Sequence, residues 1–460
     1  MEEAAAVPAA DAPPAVGADR PVPGPPSVSG LSRADLESRE EAHLHPCAMR
    51  SARAARRIHV DPEGRTFDLR TEFQRDRDRI IHARAFRRLR HKTQVYTADG
   101  DDHTRNRLIH TLEVAGIART LARALTINED LAEVIALGHD LGHAAFGLPG
   151  ERVLNGILSG QVAIAGLDPE AARVGGFRHN HQGLRIVDVL EKRYHHDGLN
   201  LTDPVREGIF KAVLPDDRVC YPDEVREGLH LGLAPFLETQ VVNLADAIAT
   251  QVHDLDDGLH GGAVTMAEVE RLEIVRRVMA RVGLALARGR FLRISQINRG
   301  ITHLLVTAAA THTAGAMAAW VERTDIQEHD DFLALRAGLP ADLVSLPPSV
   351  EAMHHELAGL VARRVINSYT VNRADERARR YMTELFSTFY RNPRLLEDHV
   401  LIRFREVSGV RFLRDCRPAD AAEEIRTRYH DSPVFVRLLA DHLAAMTDTW
   451  ALREYERLGK

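Results

Sequence analysis

The chain has little cysteine, few aromatic residues and no alternating pattern long enough to predict a major sheet. Its 460 residues include three cysteines, Cys47, Cys220 and Cys416, and none of them lies in a CxxC spacing. This pattern excludes a disulfide framework and a zinc knuckle, and it is typical of a reducing compartment. Aromatic residues make up 5% of the chain, whereas the good helix formers Ala and Leu dominate long stretches. The sequence therefore predicts an all-α fold.

The chain also lacks a strong excess of either charge. Its formal net charge of −6 argues against obligate nucleic-acid binding through bulk electrostatics, although a local basic patch is compatible with it. The start of the sequence, Met1-Glu2-Glu3, has neither the basic region nor the apolar core of a signal peptide. We therefore expect a cytoplasmic protein.

One long stretch contains no charged side chain. Gly300 to Val321 has no Asp, Glu, Lys or Arg and is long enough to span a bilayer. It carries His303, His312 and four threonines, however, and its many alanines are only mildly apolar. We interpret the stretch as a buried central helix and expect no membrane partner.

Composition sets the start of the chain apart from the rest. The first 30 residues contain seven prolines and eight alanines and cannot bury enough apolar surface to offset the entropy of ordering. We predict a disordered tail and linker over 1–55, with a short helix in LSRADLESREEA and a flexible linker at HLHPC (43–47).

Four residues of metal-ligand type lie in three apolar segments. His110 lies in RLIHTLEVAG, His139 and Asp140 are adjacent in ALGHDLGHAAFG, and Asp246 lies in VVNLADAIAT. Each segment is predicted to be helical, so three helices could direct these side chains at one point. Two imidazoles and two carboxylates suit a borderline divalent cation such as Mn²⁺, Fe²⁺ or Zn²⁺ better than Mg²⁺. This set predicts a metal-dependent hydrolase.

The predicted helix around Asp246 has an apolar face and a separate polar stripe. The stripe comprises Thr239, Asn243, Asp246, Thr250 and His253. Such a stripe is usually solvated, but Asp246 is also a candidate ligand. We therefore expect the stripe to line a cleft, with Asp254 just beyond it.

Arginines are concentrated between Arg70 and Lys92. One interpretation is a salt-bridged helical face at a subunit contact. The other is a site for an anionic nucleotide or for DNA, because arginine suits bidentate recognition of phosphate. The sequence leaves both interpretations open.

These motifs together resemble the deoxyguanosine triphosphate triphosphohydrolase-like (dGTPase-like) family of the HD-domain phosphohydrolase superfamily. The similar segments include HTRNRLIHTLEVAGIARTLARAL (103–125), ALGHDLGHAAFG (136–147) and LETQVVNLADAIATQVHDLDDGL (237–259), and they follow the family order. The resemblance implies an HD-domain phosphohydrolase core over 56–260, with additional C-terminal helices over 261–460 that complete the fold. It also implies one divalent metal per chain, Mn²⁺, Mg²⁺ or Fe²⁺, and hydrolysis of a nucleoside triphosphate to nucleoside and triphosphate. The implied metal ligands are His110, His139, Asp140 and Asp246.

The resemblance further assigns the surroundings of the metal. His143 and Glu151 match catalytic positions, and His143 lies four residues after His139 on the same predicted helix face. Arg107 matches a phosphate contact on the face of His110. The implied substrate contacts are Arg107, His179, Lys211, Thr250 and Asp254. A homo-oligomer is also implied, with a regulatory nucleotide or single-stranded DNA as a candidate ligand of the basic 70–92 segment.

Four positions depart from the family pattern. The pattern HD-L-G-H-x-P-F-G-H ends in a histidine thought to act at the scissile phosphate, and this chain has Leu148 there. Thr250 replaces a tyrosine that lies against the sugar, Ala247 replaces an acid, and Ala212 replaces a histidine. Leucine neither transfers a proton nor donates a hydrogen bond. Three functions remain open: an active triphosphohydrolase with altered substrate contacts, which we favour, an inactive nucleotide-binding regulator, and an HD phosphohydrolase of another phosphate ester.

Overall fold

Helices joined by turns and loops make up the fold. The computed structural model describes residues 31–58, 69–94, 105–210, 229–230, 232–282 and 289–459. Within these ranges there is no strand, only two isolated bridges that pair Arg56 with Thr202 and Thr93 with Asn106. The prediction of an all-α fold is confirmed.

The α-helices of the described ranges are numbered in chain order. The first ten are α1 (Arg33–His43), α2 (Glu72–Ile81), α3 (Arg84–Arg88), α4 (Arg107–Ala124), α5 (Glu129–Gly138), α6 (Leu148–Leu158), α7 (Pro169–Ala172), α8 (His179–Arg185), α9 (Asp203–Phe210) and α10 (Leu237–His260). The others are α11 (Met266–Val269), α12 (Glu273–Val282), α13 (Arg290–Thr324), α14 (His329–Leu335), α15 (Pro348–Val361), α16 (Tyr369–Arg391), α17 (Asp398–Ser408), α18 (Pro418–Glu424), α19 (Pro433–Ala445) and α20 (Asp448–Arg457).

Helices α4, α5 and α10 pack on one another at the centre of the fold. Two asparagine caps fix where the first two begin: the side chain of Asn106 accepts from the backbone of Ile109, and that of Asn128 accepts from the backbone of Leu131. Each cap satisfies a backbone N–H that the helix itself leaves unpaired. The packing brings the first turns of α4, the end of α5 and the middle of α10 together.

Buried apolar side chains form two clusters. The larger runs from Cys47 to Val365 and includes the faces shared by α4, α5 and α10. The second joins α6 and α7 to the C-terminal helices α16 to α20. Helix α6 is therefore held by the C-terminal region although it lies early in the chain. The boundary at residue 260 stays a prediction.

The segment before the core differs from the prediction of a flexible linker. Helix α1 confirms the short helix, but Cys47 and Ala48 are fully buried and the backbone N–H of Met49 donates to Glu238 Oε1 at 2.9 Å. The HLHPC linker is thus packed against the core, because its Cys and the residues after it bury apolar surface there. Residues 1–30 lie outside the described ranges.

Helix α13 contains the stretch without charged residues. Among the helices of the described ranges, this is the one whose length and composition would allow it to cross a membrane. Of its most apolar 18-residue stretch, 28% is buried inside the protein. Its buried side chains, from Ile294 to Trp320, recur every three or four residues on one face. The predicted burial therefore applies to one face of the helix, and the other face is exposed.

Candidate active site

Three of the four predicted metal ligands converge where α4, α5 and α10 meet. A ring nitrogen of His110, one of His139 and a carboxylate oxygen of Asp246 all lie within 4.8 Å of one another. His110 Nε2 is 3.1 Å from Asp246 Oδ1, and His139 Nε2 is 3.8 Å from the same oxygen. Two histidines are buried, and the Asp246 side chain is 24% exposed. The cluster therefore has access from one side.

The HD dipeptide does not lie inside a helix, as the sequence had suggested. Helix α5 ends at Gly138, and His139 and Asp140 occupy the turns that follow. The Nδ1 of His139 lies 2.6 Å from the carbonyl oxygen of Ala136. His139, the C-cap residue, keeps helical backbone angles (φ −62°, ψ −30°), and Asp140 lies in the turn after it.

Asp140 links this cluster to a second one. Its Oδ1 lies 3.2 Å from His139 Nε2 and 3.1 Å from His143 Nε2, while its Oδ2 accepts from Arg107 Nη1 at 2.9 Å. Burial alone would raise the pKa of Asp140, but the two histidines and Arg107 outweigh it and hold the pKa well below its ordinary value. Asp140 is therefore a fixed negative charge between the two clusters.

The second cluster comprises His143, Glu151 and His179. Glu151 Oε2 lies 3.0 Å from His179 Nδ1 and 3.8 Å from His143 Nδ1, and the two imidazole rings stack with centroids 4.0 Å apart. His143 reaches this cluster from the turns after α5, so its predicted place on a helix face shared with His139 is wrong. Burial, reinforced by the charge of Arg107, holds the pKa of His143 well below its ordinary value.

Gly142 allows the backbone of His179 to lie against the turns that follow α5. A Cβ atom on Gly142 would lie 1.8 Å from the carbonyl oxygen of His179 and 2.2 Å from the backbone nitrogen of Gly183. No side chain fits there, so only glycine allows α8 to begin against these turns. The close approach places His179 beside Glu151, where the resemblance had suggested a substrate contact.

Two residues to which the sequence assigns no role, Asp448 and Lys92, hydrogen-bond to the backbone of the turns that follow α5. Asp448, on α20, accepts from the backbone N–H of Phe146 at 2.6 Å and from that of Thr93 at 2.8 Å. Lys92 donates to the carbonyl oxygens of His143 and, at 2.9 Å, Ala444. Burial lowers the pKa of Lys92 to about 7. The one signal in the sequence is that Asp448 lies in MTDTW (446–450), a further segment that resembles the family.

The remaining predicted contacts lie along α10 and α6. Thr250 Oγ1 is 3.3 Å from Asp246 Oδ1. Asp254, one helical turn further on, is buried, and its Oδ1 has no hydrogen-bond partner in the described part of the chain. Burial, reinforced by Asp257, raises the pKa of Asp254 to about 7. Leu148, the first residue of α6, is 52% exposed. Lys211 lies outside the described residues.

The polar stripe of α10 is only partly as predicted. Asp246, Thr250 and His253 face the cluster, and His253 Nδ1 lies 3.1 Å from His110 Nδ1. Thr239, nearer the start of α10, is instead fully buried. Burial lowers the pKa of His253, although Glu113 on α4 partly offsets this.

The basic segment divides into two halves. In the first, Arg70 pairs with Asp78 at 2.6 Å and Arg77 pairs with Glu133 at 3.3 Å, as the interpretation as a salt-bridged face predicts. In the second, Arg84, Arg88 and Lys92 line a cavity of about 450 Å³. The side chains of Leu141, Arg403, His442 and Trp450 also line this cavity.

The donor chemistry of the first cluster fits a divalent cation. A neutral His139 that donates from Nδ1 to the Ala136 carbonyl has its lone pair on Nε2. That lone pair faces Oδ1 of Asp140 and Oδ1 of Asp246, both of which are acceptors. Three acceptors this close repel unless a proton or a cation lies among them. Imidazole nitrogen with carboxylate oxygen is a set that Mn²⁺, Fe²⁺ and Zn²⁺ accept.

Comparison with known proteins supports the same region as the functional part of the chain. Residues 107–251 match the family model described as HD domain, and residues 344–457 match the phosphohydrolase-associated domain. A protein of Geobacter sulfurreducens is 36% identical over 92% of this chain and 97% of its own length. One of Ralstonia pickettii is 37% identical over 91% of this chain and 95% of its own length. Both are named deoxyguanosinetriphosphate triphosphohydrolase-like protein.

Proposed function

The chain belongs to the dGTPase-like family of HD-domain phosphohydrolases, and we propose that it hydrolyses (deoxy)nucleoside triphosphates to a nucleoside and triphosphate in a metal-dependent reaction. The observation that carries this proposal is the convergence of a ring nitrogen of His110, one of His139 and a carboxylate oxygen of Asp246 within 4.8 Å of one another. His110, His139, Asp140 and Asp246 would hold one divalent cation, Mn²⁺, Mg²⁺ or Fe²⁺. When bound, such a cation polarises a phosphoryl oxygen and lowers the pKa of water bound to it.

We propose His143 and Glu151 as the catalytic residues, with His143 accepting the proton and Glu151 orienting its ring. His143 Nε2 lies beside Asp140, so a ring that donates there has its lone pair on Nδ1. This Nδ1 is buried, and the nearest carboxylate oxygen, from Glu151, is 3.8 Å away. That gap leaves His143 able to accept a proton from a water molecule, while Glu151 and the stacked ring of His179 hold its orientation.

The proposed substrate contacts follow from the charge and burial of each side chain. Arg107 would bind phosphate oxygens, since its buried Nε has no hydrogen-bond partner in the described ranges. His179 and Lys211 are proposed as further phosphate contacts. Asp254 has a buried acceptor oxygen that suits the 3′-hydroxyl of the sugar. Thr250 lies between Asp254 and the ligand Asp246, where the family tyrosine would restrict the sugar.

Leu148 is the observation that favours the alternative of an inactive nucleotide-binding regulator. The exposed leucine, at the start of α6, stands where the family has a histidine thought to act at the scissile phosphate, and a leucine side chain cannot transfer a proton. Against this, the chain keeps both clusters, with four histidines, three of them buried, in contact with carboxylates. Buried polar groups of this kind cost folding free energy that an inactive core has no need to expend. We therefore favour an active enzyme.

Product analysis separates the candidate functions. Wild-type protein with dGTP and Mn²⁺ or Mg²⁺ should release nucleoside and triphosphate in equal amounts, and Asp246→Asn should release neither. Release of orthophosphate would instead indicate a phosphohydrolase of another type. Nucleotide binding without any release would support the regulator.

Replacing Thr250 with tyrosine should increase selectivity for the deoxy sugar. Thr250 leaves room beside the sugar, so we expect GTP and dGTP to bind within roughly tenfold of each other, about 1.4 kcal/mol. The tyrosine ring should exclude the ribose hydroxyl and widen this difference. Calorimetry on a metal-loaded Glu151→Gln background measures it, and Thr250→Ser, which adds no bulk, is the matched control. Strong exclusion of GTP by the Thr250 protein would assign the steric gate to another residue.

The other proposals concern assembly and location. We propose that the protein is cytoplasmic and forms a homo-oligomer. Light scattering at several protein concentrations tests the assembly. We also propose that the second half of the basic segment, with Arg84 and Arg88, binds a regulatory nucleotide or single-stranded DNA in the 450 Å³ cavity. Trp450 lines this cavity, so its fluorescence reports on either ligand. Titrations that leave the fluorescence unchanged would support the interpretation as a subunit contact.

A further inference from the structure

His253 and Glu113 extend a chain of polar contacts from the cluster to the protein surface. His253 is 5% exposed, and its Nδ1 lies 3.1 Å from Nδ1 of His110. Its other ring nitrogen, Nε2, lies against Oε2 of Glu113, whose side chain is 41% exposed. Arg105 Nε lies 3.5 Å from the same Glu113 oxygen. The function proposed above gives neither His253 nor Glu113 a role.

The positions of the hydrogen atoms along this chain follow from simple counting. Two ring nitrogens 3.1 Å apart share one hydrogen, so one ring donates and the other accepts. An ionised Glu113 only accepts, so a neutral His253 carries its hydrogen on Nε2 and has an acceptor at Nδ1. His110 then donates from its own Nδ1. Its lone pair is therefore on Nε2, 3.1 Å from Asp246 Oδ1.

The opposite set of hydrogen positions is less favourable at the other end of the chain. If His110 Nε2 carried the hydrogen, His253 would have to donate from Nδ1. Its bare Nε2 would then face the Glu113 carboxylate, and these two acceptors would be in contact. The charge of Arg105 favours an ionised Glu113 and so opposes this arrangement. In the favoured arrangement of hydrogens, the one pair of acceptors that face each other in this series of contacts is His110 Nε2 and Asp246 Oδ1. A cation between them would satisfy both.

We propose that Glu113 and His253 are positioning residues for the metal site, which orient the His110 ring and select the tautomer that offers Nε2 to a divalent cation. This inference rests on the proposed function, because it requires the cation. Neither residue is itself a ligand. Removing such a hydrogen-bond partner of a ligand histidine typically weakens metal affinity by about 10–100-fold.

Substitutions of His253 test the acceptor directly. His253→Phe keeps a ring but removes the acceptor, so the Kd for Mn²⁺ should rise about 10–100-fold and the visible absorption of the Co²⁺-loaded protein should change. His253→Asn offers Oδ1 near the former position of Nδ1, so the Kd should stay within about threefold of wild type. Asp256→Asn is the matched control, because Asp256 is another carboxylate bound by Arg105 and does not contact His253.

A second pair of variants separates positioning from general loss of structure. Glu113→Ala should raise the Kd by about tenfold in the wild-type background. It should have no further effect in His253→Asn, because asparagine accepts without help from Glu113. Since the Glu113 side chain is 41% exposed, its removal is a mild perturbation of the fold. Melting temperatures of the metal-free variants verify this.

The outcomes distinguish failure of this inference from failure of the proposed function. If wild-type protein binds neither Mn²⁺ nor Co²⁺, both are overturned. If wild-type protein binds metal and folded His253→Phe and Glu113→Ala bind it with the same Kd and the same Co²⁺ spectrum, only the positioning role is overturned. Loss in both variants with recovery in His253→Asn supports it.

Discussion

Replacing Leu148 with histidine is expected to raise the rate of triphosphate release by about 10²-fold without changing the metal content. Leu148 begins α6 and lies three residues before Glu151, so the two side chains are neighbours on the helix surface. An imidazole there would stand beside the carboxylate that already contacts His179 at 3.0 Å. From that position it could transfer a proton to the leaving group or donate a hydrogen bond to a developing oxyanion.

The substitution should be tolerated by the fold. Leu148 is 52% exposed, so an imidazole at this position keeps contact with water. Exposed substitutions of this kind usually change the free energy of unfolding by no more than about 0.5 kcal/mol. Leu148→Phe is the matched control, because it adds a ring that cannot transfer a proton. Equal rates for folded Leu148→His and Leu148→Phe would show that catalysis here does not depend on a histidine at this position.

The identities of the cluster residues were predictable because their order along the chain is distinctive. His110, the His139–Asp140 pair and Asp246 occur in separate apolar segments, and polar groups in such segments need a reason. Periodicity also predicted the helices that carry His110 and Asp246, α4 and α10. What periodicity could not give is the end of α5 at Gly138. The apolar pattern continues through Leu141, so it predicts that the two residues after Gly138 are helical as well.

Contacts across long sequence separations were the other part that the sequence could not supply. Asp448 and Phe146 lie 302 positions apart, and Lys92 and Ala444 lie 352 apart. No local pattern connects such pairs, since their geometry depends on how the C-terminal helices pack on α6. His253 is an intermediate case. Its place on a polar stripe was visible, but its contact with His110 required the structure.

Replacing Asp140 with alanine is expected to abolish metal binding. Its Oδ1 lies 3.2 Å from His139 Nε2, so the substitution removes a proposed ligand and its negative charge together. The same change removes the carboxylate from a buried ion pair with Arg107, whose side chain is 4% exposed. Breaking a buried pair typically costs about 3–5 kcal/mol of stability, so the melting temperature of this variant must be measured.

Asp246→Asn provides the milder companion substitution. It keeps the shape of the side chain, which is 24% exposed, and removes only the charge and one ligand oxygen. Asp78→Asn is the control, because Asp78 pairs with Arg70 away from the cluster. If Asp246→Asn is folded but contains no metal, the loss of the metal is not caused by a loss of structure.

The metal content of purified protein, after reconstitution with Mn²⁺ or Fe²⁺ and removal of loosely bound ions, tests the site most directly. We expect about one ion per chain in wild type and in Asp78→Asn, and almost none in Asp140→Ala and Asp246→Asn. If the wild type and the two cluster variants have the same metal content, whether all are empty or all are loaded, a metal centre at His110, His139, Asp140 and Asp246 is contradicted.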